Sequence, residues 1–101
     1  MLAYRLAKND LIVSIDGELD QLSAPGLRAE LDGLIGEYRP RRLILDVQNL
    51  EFMDSSGIGM VIGRYKLMKR AGGTVAVRGA RGAVEKLFAL SGLYQILDKL
   101  A

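Results

Sequence analysis

Residues 43–59, LILDVQNLEFMDSSGIG, hold the reading on which the fold turns. Leu43-Ile44-Leu45-Asp46-Val47 is a short, nearly continuous apolar run, the pattern of a strand covered on both faces. After a break, an aspartate, two serines and two glycines stand just ahead of an apolar series at helical spacing. Upstream, Leu2 to Lys8 and Leu11 to Ile15 read as strands of a hairpin turning at Asn9-Asp10. A helix follows, with Ser23 as its cap and Pro25 in its first turn. Leu27, Leu31, Leu34, Ile35 and Tyr38 share one face of that helix, and Pro40 stops it. Downstream, a second helix over about 56–70 ends at Gly72-Gly73, and Thr74 to Val77 forms a strand. A third helix runs from about Gly82 to Leu90, with Val84, Leu87 and Phe88 on one side. Leu93 to Leu97 supplies a last short strand. The order β-β-α-β-α-β-α-β predicts one α/β domain over residues 1–101, with a mixed, mostly parallel sheet of four to five strands and three to four helices.

Composition narrows the chemistry. The chain has 101 residues, a length that suits one domain of common size. It has no cysteine and no histidine. A disulfide framework, a Ser-His-Asp hydrolase and a zinc site built on imidazole or thiolate are therefore excluded. No metal and no cofactor is expected. The absence of cysteine fits a reducing compartment. The N-terminus lacks the apolar core of a signal peptide, and no apolar stretch approaches the length of a membrane span, so a soluble cytoplasmic protein is expected. Net charge is +2, with basic residues gathered at Arg39, Arg41 and Arg42, at Lys69 and Arg70, and at Arg78 and Arg81. No aromatic residues are interleaved with them to stack bases, so direct nucleic-acid binding is not expected.

The loop before the second helix is the candidate site. In an open α/β sheet, sites gather where strands lead into helices. Asp54, Ser55 and Ser56 stand at such a place, and a helix start favours negative charge. Gly57 and Gly59 leave the backbone there uncovered, for a phosphate or for a partner's backbone. A plain helix cap by Asp54 or a serine is the simpler reading of the same residues. The glycine spacing does not match a P-loop, and no Gly-Lys-Ser/Thr follows. On a helical wheel, Ile58, Val61, Ile62, Tyr65 and Met68 fall on the side expected to face the sheet. Ser56, Met60, Gly63 and Leu67 fall opposite, as a strip on which another protein could dock. A serine at the rim of such a strip is placed to act as a switch. Phosphorylation adds about −1.5 to −2 of charge, which the helix start tolerates and a docked partner does not. Two charges against one at about 8 Å, with an effective dielectric near about 20, give roughly 4 kcal/mol, enough to weaken binding about a thousandfold.

The same residues carry a family resemblance. Gly17-Glu18-Leu19-Asp20, Phe52-Met53-Asp54-Ser55-Ser56-Gly57-Ile58-Gly59, Gly63-Arg64-Tyr65-Lys66 and Ala89-Leu90-Ser91-Gly92-Leu93 resemble, in order and over nearly the whole chain, the STAS domain of anti-sigma factor antagonists, those of sporulation in particular. The resemblance implies a regulatory binding module that is not an enzyme. Unmodified, it would bind an anti-sigma factor that is also a serine kinase, and so free the sigma factor. The kinase would phosphorylate it at Ser55 and release it, and a serine phosphatase would restore it. Ser56 would be the neighbour that helps cap the helix, and Asp20 would lie near the same surface. Two features depart from the family: the C-terminal tail is short, and the loop at Arg39 to Arg42 is unusually basic. Two alternatives stand beside this reading. One is a STAS module of another partner-switching or sensory complex. The other is a receiver-like phosphoacceptor domain, for which the acidic pair after the first strand is missing and Val77 is followed by Arg78-Gly79 instead of lysine.

Overall fold

The computed structural model describes residues 2–101. Five strands form the main sheet: β1 (Leu2–Ala7), β2 (Asp10–Ile15), β4 (Arg42–Asp46), β6 (Thr74–Arg78) and β7 (Asp98–Lys99), in the order β1-β2-β4-β6-β7. β1 runs antiparallel to β2, and every other pairing is parallel. The expected mixed sheet is thus present, with the hairpin at its edge.

A second, two-stranded sheet pairs β3 (Gly17–Leu19) with β5 (Leu50–Met53) in parallel. Neither strand is expected from the sequence pattern. The three helices are α1 (Ala24–Tyr38), α2 (Ser55–Arg70) and α3 (Gly82–Leu90). Leu93–Gln95, expected to open the last strand, forms a 3-10 turn instead. Its residues follow helical spacing: Leu93 and Leu97 are both buried, and the Leu97 N–H donates to the Leu93 carbonyl at 2.9 Å. The last strand is displaced to Asp98–Lys99.

The buried apolar residues of all three helices join one cluster with Leu11, Val13 and Ile15 of β2, Leu43 and Leu45 of β4, and Val75 and Val77 of β6. Among the described residues, the buried apolar cluster on the opposite sheet face is Ile12, Ile44 and Ala76, packed with Ala7 and Leu100. The run at residues 43–47 is covered on both faces, as its pattern suggests, but helices cover only one of them. Ile44 is 3% exposed without a helix over it. Cross-strand ion pairs stand on either side of that apolar centre, Arg42 with Asp10 at 2.8 Å and Arg78 with Asp46 at 3.2 Å. The apolar stems of long arginine side chains can cover such a stripe while their charged ends stay in water.

Candidate functional site

The small β3–β5 sheet builds the site. Its register sets Leu19 beside Met53, so the residues that follow, Asp20 and Asp54, enter neighbouring loops at the starts of α1 and α2. The two loops are further tied by the Asp54 N–H, which donates to the Leu19 carbonyl at 3.2 Å.

Each aspartate organises its own helix start. Asp54 is the cap of α2: its Oδ1 accepts from the Ser56 N–H at 2.8 Å and the Gly57 N–H at 3.4 Å. The cap expected from Ser56 is supplied by this carboxylate, which satisfies two of the N–H groups that a helix start leaves free. At α1, Ser23 holds the cap position but its side chain does not cap. Its hydroxyl donates to the Glu18 carbonyl at 2.7 Å and accepts from the Asp20 N–H at 3.0 Å. The Asp20 Oδ1 closes the turn by accepting from the N–H groups of Leu22 and Ser23 at 3.0 and 2.9 Å. Hydrogen bonding from the Ser23 backbone, and then from Leu22, holds the Asp20 carboxyl below its ordinary pKa.

Ser55 is exposed, at the first position of α2, and Ser56 and Asp54 are half-buried beside it. Gly59 is exposed and Gly63 half-buried. Gly57 corrects the expectation of an open backbone. It is buried, and a Cβ there would lie 2.7 Å from Met53 Cγ and 2.9 Å from Leu19 Cγ. This glycine lets α2 sit tightly on the β3–β5 sheet.

The expected docking strip is corrected as well. Met60 is 5% exposed and belongs to the main core. The buried positions of α2 are Gly57, Met60, Val61, Arg64 and Met68. Ile58, Ile62 and Tyr65, expected to face the sheet squarely, are only half-buried. The helix is covered on two sides, because α1 packs against it as well as the sheet. What remains of the strip is a groove of about 410 Å³ between α1 and α2, lined by Gln21, Ala24, Pro25, Arg28, Ser56, Gly59, Met60, Gly63 and Arg64. Leu67 does not join it. It is half-buried and lines a separate groove at the far ends of the two helices, with Ile35, Gly36 and Arg39 among others.

The sequence pattern gave no notice of Leu22 or of the Arg28–Arg64 groove. Leu22 is 90% exposed in the Asp20 turn, although a leucine just before a helix cap ordinarily folds onto the helix. The available signal was Arg64 itself, a charge four residues from both Met60 and Met68 and so in line with them along α2. For the receiver alternative, the strand-end acid would be Asp46. It is committed instead to Arg78 and to the Gln48 N–H, at 3.2 and 3.1 Å. Among the described residues no three acidic side chains gather in a way that could hold a metal ion. Among the described residues no helix is long and apolar enough to cross a membrane.

Residues 2–101 match the STAS domain family. The chain is 40% identical over 87 residues to the anti-sigma F factor antagonist of Paenibacillus polymyxa, across 86% of this chain and 74% of the relative. It is 35% identical over 91 residues to the anti-sigma-B factor antagonist of Bacillus subtilis strain 168, across 90% and 82%. Among solved structures, the anti-sigma factor antagonist SpoIIAA in its unphosphorylated form superposes with a TM-score of 0.85 at 25% identity, over 100% of this chain and 89% of the other.

Proposed function

The chain belongs to the STAS domain family, and from that premise we propose that it is an anti-sigma factor antagonist switched by phosphorylation of Ser55. Unmodified, it binds an anti-sigma factor that is a serine kinase, and the sigma factor is released. The kinase transfers phosphate to Ser55 and the complex parts. A serine phosphatase regenerates the binding form. The chain itself is a regulatory module of the cytoplasm and not an enzyme. The names of the relatives, anti-sigma F and anti-sigma-B factor antagonists, support the first part of this reading.

One observation carries the switch. Ser55 is exposed at the start of α2, and the capping work there is already done by Asp54. A phosphate on Ser55 therefore costs the helix no cap. It gains from the positive helix end while standing beside one carboxylate. Gly59 is exposed on the same helix, and Leu22 is exposed beside half-buried Asp20 in the loop that the β3–β5 pairing brings next to that of Asp54. Leu22 supplies the apolar contact that Met60 cannot, and a partner seated on it would meet the new dianion at close range.

The test is direct. Incubation with the cognate serine kinase and ATP should place an acid-stable phosphate on Ser55, found by mass mapping. Ser55→Ala should retain the partner after ATP is added, and Ser55→Asp should bind at least about tenfold more weakly, a loss of about 1.4 kcal/mol. If the two variants bind the partner equally well, the switch is wrong. An acid-labile phosphate on an aspartate would favour a receiver.

A further inference from the structure

Arg64 is expensively placed. Its side chain is only 10% exposed, and its one close carboxylate, Asp32, is 44% exposed with an oxygen 3.0 Å from Nε. Nε and Nη1 are both buried without a well-directed hydrogen-bond acceptor. Burial lowers the Arg64 pKa; the Asp32 charge works against that shift, and the positive charge of Arg28 adds to it. Arg28 and Arg64 both line the α1–α2 groove, and the carboxylate beside Arg64 is 44% exposed. An underused buried arginine destabilises a fold unless something else answers its charge.

The groove is shaped to admit such an answer. Arg28 and Arg64 line it together with Ser56 and Gln21, which can donate hydrogen bonds. Gly59 and Gly63 keep it open, since a Cβ at either would meet nothing within 4 Å. We infer that this groove binds one small oxyanion, the phosphate or carboxylate group of a soluble ligand, held between Arg28 and Arg64. The planar, multiply donating guanidinium suits either group. The inference stands on Arg28 and Arg64 and not on the Ser55 switch, and occupancy would place a ligand beside Ser56, the neighbour of Ser55.

The experiment titrates the isotope-labelled chain with inorganic phosphate and, separately, with acetate, at constant ionic strength, following backbone amides by NMR. Saturable shifts centred on Ser56, Gly59 and Gly63 are expected with at least one anion. Saturation by phosphate alone assigns a phosphate ester, and saturation by acetate assigns a carboxylate. Arg28→Ala should weaken binding about tenfold, as loss of one charge-assisted contact does. Asp32→Asn should tighten it by removing the competing carboxylate. Arg64→Met should abolish it while leaving thermal stability unchanged or raised, because a well-packed apolar side chain replaces a poorly paired charge. If Arg64→Met fails to fold, Arg28→Ala decides, since Arg28 is exposed. Shifts that never saturate with either anion, that centre on Arg39 and Arg41, or that are unchanged in Arg28→Ala would overturn the inference.

Discussion

Gly57 and Gly59 lie two residues apart in the same helix and answer to opposite demands. The Cβ that Gly57 lacks would press on Met53, Leu19 and the Leu19 carbonyl oxygen, the last at 3.0 Å. Backbone cannot step aside as a flexible side chain can. Gly57→Ala is therefore expected to cost about 1–3 kcal/mol of stability, the range for overfilling a packed site. Gly59 is open to solvent in the body of α2, where alanine is the better helix former. Gly59→Ala should stabilise by about 0.5–1 kcal/mol. Urea midpoints of the two variants, moving in opposite directions, check the assignment. From sequence both glycines look alike, because the difference between them is a contact with β3, nearly forty positions upstream. Asp54 is the contrasting case. Its capping role was legible as one reading of the local pattern, because a cap is made within three residues of the chain.

At the scale of elements, α2 shows why its face was misjudged. A wheel with one apolar stripe assumes one covered side, and α2 is covered on two, by the sheet and by α1. Met60 fills the seam with α1, so Met60→Ala should lower stability by about 2–5 kcal/mol in the absence of any partner. A docking residue on an open strip would change it by less than about 0.5 kcal/mol, and chemical denaturation separates the two. The long periodic elements, α1 and α2, were readable as helices because their apolar spacing repeats several times over 15 and 16 residues. β3 and β5 were not. They have three and four residues, and what makes them strands is pairing across more than thirty positions, which no local alternation records. The loops that carry Asp20 and Asp54 were placed near one surface only by family resemblance; the physical link is this small sheet.

Over the whole molecule, the sheet is covered by helices on one face and by charged side chains on the other, and that arrangement makes the fold sensitive to acid. Asp10 accepts two hydrogen bonds from Arg42, at 2.8 and 3.2 Å, across the register that pairs β2 with β4. The hydrogen bond from Arg42, with its positive charge, holds the Asp10 carboxyl below its ordinary pKa of 3.8. Asp20 is lowered by its turn, and Glu85 by hydrogen bonds from Tyr94 and then Lys99, below the ordinary 3.8 and 4.5. A carboxylate depressed in the folded state contributes stability that is fully present above its unfolded pKa. That contribution drains away as pH falls through the folded value. The three groups lie at the strand starts, the candidate site and α3, so protonation loosens separate parts of the molecule together. The urea midpoint should be level near neutral pH and fall steadily from about pH 5 to about pH 2. Asp10→Asn should sit lower at neutral pH and lose less on acidification, because one of the three contributions is already gone. A wild-type midpoint that stayed level through that range would mean these exposed pairs are screened to nothing, and that the open sheet face is held by its apolar stripe alone.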